Sequence, residues 1–281
     1  MNGLLVLQSD FGLSDGAVAA MEGVALSVDP HLQLYSLTHE IPPFDTYEAS
    51  YRLLQVVPFW PKGSVFVSVV DPGVGSSRRS CVAKTVTGQY IVTPDNGSLS
   101  HIARVIGIES VREISGEERR EGSRYTQTFH GRDIYAYTGA RLAAGLVTYD
   151  YIGPEYDKSE IKMLEMPEAS FEDGMIIGTI ETLDVRFGSL WTNVSSELFR
   201  KLGAKRKDLI DISIYNGERK VHRSFVTLAE TFADVEIGES LIYVNSMNHM
   251  AVAINQGSFA DAYHIGIRNG WKITMELAER R

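Results

Sequence analysis

Short apolar runs rich in β-branched residues alternate with longer amphipathic stretches through the first half of the chain. Leu4–Leu7 is the first run, ending at Ser9-Asp10 before a turn at Phe11-Gly12. Ser14 is placed to cap a helix over Asp15–Val28, which Asp29-Pro30 stops. Leu32–Leu37 reads as a second strand, and Asp45 with Glu48 has the spacing of a capping box opening a helix to about Val57. The next run, VFVSVV from Val65, ends at Asp71. It has no polar alternation, the pattern of a strand buried on both faces. The order β, α, β, α, β predicts an α/β domain whose mostly parallel sheet is covered by helices.

Beyond Asp71 the pattern loosens. Cys81–Val86 and Tyr90–Thr93 flank Thr87-Gly88 as a hairpin. A short helix is predicted over Ser98–Ile106 and a strand over Val111–Ile114. The charged run Gly116–Arg124 reads as a solvated loop, and Thr128–Asp133 leads into an amphipathic helix ending near Gly145. From Met175 onward, short β-rich segments separated by Gly and Asn dominate: Met175–Leu183, Leu209–Tyr215, Ser240–Val244, Met250–Ile254 and Lys272–Met275. They predict a smaller all-β domain, a barrel or sandwich. The expected division is an α/β domain over 1–153, a Pro-containing linker over 154–172 and the β domain over 173–281.

Composition narrows the function classes. The net charge is −9 and no basic block exceeds Lys205–Lys207, so a nucleic-acid partner is not expected. Cys81 is the one cysteine, which rules out an intrachain disulfide and fits a reducing compartment. The first residues, MNGLLVLQSD, lack the basic region and apolar length of a signal peptide, and no stretch reaches the length of a membrane span. A cytoplasmic protein without a membrane partner is therefore expected. The seven histidines form no HExxH pair or other close ligand spacing, so no metal site is expected.

Chemistry-bearing side chains gather where strands end. Ligands of open α/β sheets bind beyond the carboxyl ends of the strands, which is where Asp10 and Asp71 fall. An ionised carboxylate only accepts hydrogen bonds and suits a ribose diol, although Asp10 equally fits a plain turn or cap. The loop after Asp71, PGVGSSRR, brings Arg78 and Arg79 near that carboxylate; a solvated loop with a surface ion pair reads the same way. His130, at a predicted helix entrance, sits in partial positive charge that favours the neutral imidazole.

Taken together, SDFG at Ser9–Gly12, VVDPGVGSSRR at Val69–Arg79, PDNG at Pro94–Gly97 and TFHGRD at Thr128–Asp133 form a family pattern. LDVRFGSLWTN at Leu183–Asn193, TFADVEIGE at Thr231–Glu239 and VNSMNHMAVAINQG at Val244–Gly257 continue it. The chain resembles, over nearly its whole length, the S-adenosyl-L-methionine hydroxide adenosyltransferases, relatives of fluorinating and chlorinating enzymes. The resemblance implies an amino-terminal α/β domain, a carboxy-terminal β-barrel and a homotrimer with active sites between subunits. It implies hydrolysis of the small-molecule substrate S-adenosyl-L-methionine to adenosine and L-methionine, without metal or cofactor. The family's acid–arginine–histidine triad falls on Asp71, Arg78 and His130; spacing alone leaves Arg79 in competition with Arg78. Asp10 resembles the ribose-diol ligand, Asp184 the partner of the methionine ammonium and Ser246 that of its carboxylate. Phe187 and Phe232 resemble the rings that sandwich adenine, and the Ile254 backbone the reader of its edge. Ser189 stands where the family usually has Asn, Met247 alters the NSSG-type segment, and Ala251 occupies a place often acidic.

Other readings fit parts of the same residues. A non-catalytic adenosine or S-adenosyl-L-methionine sensor accommodates the departures at the methionine end. A halogenase would share the substrate, but those relatives lack the acidic triad residue. A metal phosphohydrolase would use Asp10, Asp15 and His130 near Asp71.

Overall fold

The computed structural model describes residues 2–115, 119–123 and 128–278. The chain divides into two compact units, Met1–Glu165 and Met166–Arg281. The division falls inside the segment expected to be a linker: residues up to 165 group with the first unit and the rest with the second.

In the first unit the chain runs through β1 (Leu4–Ser9), α1 (Ala17–Val28), β2 (Gln33–Thr38), α2 (Thr46–Val56) and β3 (Val65–Val69). It continues through β4 (Ser80–Thr85), β5 (Tyr90–Pro94), α3 (Ser100–Val105) and β6 (Ile108–Glu113). A π-helical turn at Gly131–Ala136 leads into α4 (Tyr137–Ala143), and β7 (Glu155–Tyr156) ends the unit's strands. The sheet order is β2-β1-β3-β5-β4-β6-β7. Strands β2, β1, β3 and β5 run parallel, and β4, β6 and β7 add antiparallel pairings on one side. Every residue of β3 is buried, as its unbroken apolar sequence requires. On one face Leu5, Leu7, Val65 and Val67 pack with Met21 of α1 and Ala140 of α4. On the other, Gln8 donates to both the Ala49 carbonyl of α2 and Ser68 Oγ, each at 2.9 Å. Gly139 lets α4 approach closely, because a Cβ there would lie 2.4 Å from Val67 Cγ2.

Three local expectations change. Helix α1 starts at Ala17, and Asp15 rather than Ser14 accepts its first N–H, at 2.9 Å. An Asx turn at Asp15 competes for the donor that a Ser14 cap would have used. Of the charged run 116–124, residues 116–118 and 124 lie outside the described residues. Within it Arg120 donates to Asp133 at 2.9 Å and Arg132 reaches the same fully buried carboxylate at 2.8 Å, so part of the run is anchored. The helix after His130 begins as a π turn, a feature often found at functional positions.

The second unit comprises β8 (Ser170–Glu172), β9 (Met175–Leu183), β10 (Leu190–Ser195), α5 (Ser196–Phe199), β11 (Leu209–Asn216) and β12 (Arg219–Leu228). It ends with β13 (Ser240–Val244), β14 (His249–Ile254), α6 (Phe259–Tyr263) and β15 (Trp271–Leu277). The order β10-β14-β13-β12-β11-β15-β9, with β9 pairing back to β10, closes a seven-stranded barrel, and β8 adds to β9. Alternate residues of β9 are buried, so Ile176 and Ile180 join Ile210, Ile212, Val252 and Ile273 inside. Strands β8, β10 and β12 are absent from the predicted set. Strand β12 (RKVHRSFVTL) is rich in charge and only partly buried, and its place is set by pairing with β11. Strand β10 buries Thr192, whose hydroxyl donates to the Met250 carbonyl at 2.8 Å, so polarity there conceals an interior strand. Among the described residues no helix is long and apolar enough to cross a membrane.

Candidate active site

In the first unit the two strand-end carboxylates line one cavity of about 290 Å³, together with Phe11, Phe44, Phe129 and His130. Asp71 follows the end of β3, where Asn96 holds the Val70 carbonyl at 2.9 Å. The chain then turns through a Val74 N–H to Asp71 carbonyl bond (3.2 Å) and a Ser76 N–H to Gly73 carbonyl bond (3.0 Å). This returns Arg78 onto Asp71. Arg78 Nε donates to Asp71 Oδ1 at 2.8 Å, and Nη2 pairs with Oδ2, a bidentate arrangement. Nη1 donates to Ser80 Oγ at 2.8 Å, and that hydroxyl lies 3.0 Å from the Tyr135 hydroxyl. Nη2 also meets His130 Nδ1 at 3.0 Å. Asp71, Arg78 and His130 are thus brought into one network. Arg79 instead pairs with Glu160 at 2.6 Å and lies over the Tyr156 ring.

The network dictates the state of the histidine. A guanidinium can only donate, so His130 Nδ1 accepts and the ring proton sits on Nε2. That Nε2 is buried with no partner among the described residues. The imidazole pKa is lowered, first by burial and next by Arg78, which keeps the ring neutral. The site therefore presents a bound carboxylate, a fixed positive charge and one unspent N–H donor beside the same cavity.

Asp10 lines the same cavity. Its Oδ2 accepts the Phe44 N–H at 2.8 Å. Phe44 has φ +68°, a left-handed conformation that a bulky residue adopts only when held there. Phe44 is 70% exposed while lining the cavity. Nothing in the PPFD sequence marks this residue.

The second unit holds another cavity, of about 780 Å³, lined by Asp184, Phe187, Ser189, Phe232, Tyr243 and Ile254. Asp184 and Ser189 are joined across the β9–β10 turn: the Asp184 N–H donates to the Ser189 carbonyl at 2.9 Å and the Gly188 N–H to the Asp184 carbonyl at 2.8 Å. Gly188 has φ +63°, and a Cβ there would strike Ser258 Oγ at 1.9 Å, so the turn admits only glycine. Phe232 packs on Tyr243 with ring centroids 5.1 Å apart. Burial pushes the Tyr243 hydroxyl pKa up, partly offset by hydrogen bonding from Ser189. Tyr243 was also missed, because its alternation within β13 reads equally as ordinary barrel packing. Ser246 is not among the residues lining this cavity; it stands exposed in the β13–β14 turn, where Asn245 Oδ1 accepts the Met247 N–H at 2.9 Å. Ala251 is fully buried on β14. Among the described residues no group of three or more His, Cys, Asp or Glu side chains is arranged to hold a metal ion.

Comparison with known proteins converges on one family. The SAM hydroxide adenosyltransferase N-terminal domain matches residues 5–153, and the C-terminal domain of the same family matches residues 178–272. An (R)-S-adenosyl-L-methionine hydrolase from Salinispora tropica is 34% identical over 254 residues, covering 90% of each chain. A fluorinase from Actinoplanes sp. (strain N902-109) is 27% identical over 99% of this chain and 98% of its own. The crystal structure of an uncharacterized conserved protein from Thermotoga maritima superimposes with a TM-score of 0.88 at 30% identity, covering 97% of this chain and 99% of that one. With both halves matched in order and relatives above 30% identity spanning most of its length, the chain belongs to the SAM hydroxide adenosyltransferase family.

Proposed function

We propose that the protein hydrolyses S-adenosyl-L-methionine to adenosine and L-methionine, with Asp71, Arg78 and His130 holding the attacking oxygen. The observation that carries this reading is the bidentate Asp71–Arg78 pair with His130 Nε2–H left unpartnered at the mouth of the sheet. A neutral nucleophile would develop positive charge as it attacks, so catalysis needs the water's proton weakened or removed. Arg78 cannot act as the base, but its charge favours hydroxide character, and His130 Nε2–H donates to the same oxygen. Asp71 orients the guanidinium and has lone pairs to receive the proton, which passes on to solvent.

The oxygen attacks C5′ in line with sulfur. The new C–O bond forms as the C–S bond breaks, and its electron pair neutralises the sulfonium. Hydroxide and sulfonium both lose charge on the way, so a water-poor cavity favours the transition state. Alignment of the nucleophile contributes further, up to about 7–11 kcal/mol in intramolecular models. Asp10 takes the ribose diol, Phe187 and Phe232 face adenine with Ser189 and the Ile254 backbone, and Asp184 with Ser246 takes the amino-acid end. The assembly is a cytoplasmic homotrimer in which the first unit of one subunit and the second unit of its neighbour form each site. Neither metal nor cofactor takes part.

Chromatography of products after incubation with S-adenosyl-L-methionine tests the reading, with chelator and chloride varied. Adenosine and methionine in equal amounts, unaffected by chelator, are expected. Saturable binding without turnover would replace the enzyme by a sensor, 5′-chloroadenosine would make it a halogenase, and activity lost in chelator would require a metal.

A further inference from the structure

Outside the cavity, a buried histidine ties together the two loops that carry the ribose-facing wall. His39 follows β2 and is 3% exposed. Its Nδ1 lies 2.7 Å from Ser9 Oγ, and its Nε2 lies 3.2 Å from Ser36 Oγ. Its backbone carbonyl accepts the Gly12 N–H at 2.7 Å. Ser9 Oγ in turn accepts the Phe11 N–H at 3.3 Å. These bonds grip the chain on both sides of Asp10. The loop that His39 begins then supplies Phe44, whose N–H holds Asp10 Oδ2.

The directions of the bonds are consistent. Ser9 Oγ accepts from Phe11 and has its hydroxyl proton available for His39 Nδ1, in which case the ring proton on Nε2 points to Ser36. Burial lowers the imidazole pKa, which sustains this neutral form, while the adjacent Glu40 opposes it. The loop after β1 has no helix to stiffen it before Ala17. Without the His39–Ser9 bond, Asp10 would keep the Phe44 N–H and its neighbour Phe11 would keep its ring contact with Phe129, but the side-chain tie from the loop after β2 to Ser9 would be lost.

We propose that His39 is a positioning residue for the ribose end of the substrate, acting through Ser9 to aim Asp10 at the sugar diol. This deepens the reading above and rests on Asp10 as the diol ligand. The test compares adenosine with 2′,3′-dideoxyadenosine by calorimetry on the full chain, in the wild type, His39→Leu, His39→Asn and Ser9→Ala. The wild type is expected to prefer adenosine. His39→Leu and Ser9→Ala should each lose about tenfold of that preference, the equivalent of one buried hydrogen bond. KM for S-adenosyl-L-methionine should rise with kcat little changed. His39→Asn, whose side-chain oxygen can accept from Ser9, should keep most of the preference. If His39→Leu fails to fold, Ser9→Ala carries the same test without altering the ring. Equal weakening of both nucleosides, or an Asn variant no better than Leu, would reduce His39 to a packing role. A preference left intact in the variants would likewise overturn the inference while sparing Asp10. A wild type that does not discriminate would instead remove Asp10 from the diol, and this inference with it.

Discussion

Arg78 serves three partners at once, through Nε and Nη2 to Asp71, Nη1 to Ser80 and Nη2 to His130. A lysine ammonium is a single point charge and cannot span those directions. Arg78→Lys should therefore lower kcat by about 100-fold or more, measured by adenosine release from protein that retains its circular dichroism. Asp71→Asn preserves the shape but removes the charge that anchors Arg78 and receives the proton; its turnover should fall by about 100–10,000-fold. The pH profile follows from His130. Its pKa lies below the ordinary 6.5 because burial and then Arg78 oppose a second positive charge. Protonation would also place a hydrogen on the Nδ1 that accepts from Arg78. Turnover should thus be flat at neutral pH and fall on acidification with a midpoint below 6.5. Stability should decline in the same direction below 6.5, since the unfolded imidazole takes up a proton that the folded one resists. A pH–rate profile and thermal melts across that range check both.

Elements bring these residues within reach of one another. Asp10 and Asp71 follow the ends of neighbouring parallel strands, β1 and β3, whose register sets Leu5 beside Val65 and Ser9 beside Val69. Both loops therefore emerge at the same edge, the general property of parallel sheets that makes their carboxyl ends binding sites. Helix α4 packs Gly139 closely against Val67 and Leu5 of these two strands. Gly139→Ala should cost about 1–3 kcal/mol through overpacking, read as a lower denaturation midpoint, with the remaining folded protein still active. The motifs around Asp71 and His130 were legible because each is a contiguous stretch. The anchoring of Asp133 by Arg120 and Arg132 was not, since a charged run reads as solvated until a buried partner is found for it.

At the scale of the whole molecule, the acid–arginine–histidine network lies in the first unit and the aromatic cavity in the second. The proposed homotrimer pairs these halves across subunits. Light scattering should return three copies of the 31.2 kDa chain. Mixing unfolded Asp71→Asn and Phe232→Ala chains and refolding them together should restore about a quarter of wild-type activity, because random pairing reunites intact halves at that frequency. Inactivity of the mixture would place both halves of the site within one subunit.

The sequence by itself determined the alternation of buried strands and amphipathic helices, the barrel's apolar strands and the identities of the chemistry-bearing residues. Those features are local: periodicity, turn residues and short motifs act over a few neighbours. The pairing of Arg78 rather than Arg79 with Asp71, which the family pattern implied and spacing left open, is seen in the structure; only the tertiary structure decided that His130 keeps its proton on Nε2 and that Phe44 and Tyr243 join the cavity walls. The same holds for β10 and β12, where polar residues are held by partners distant in the chain. Hydrogen-bond direction and burial depend on what lies across space, and a linear pattern carries no record of that.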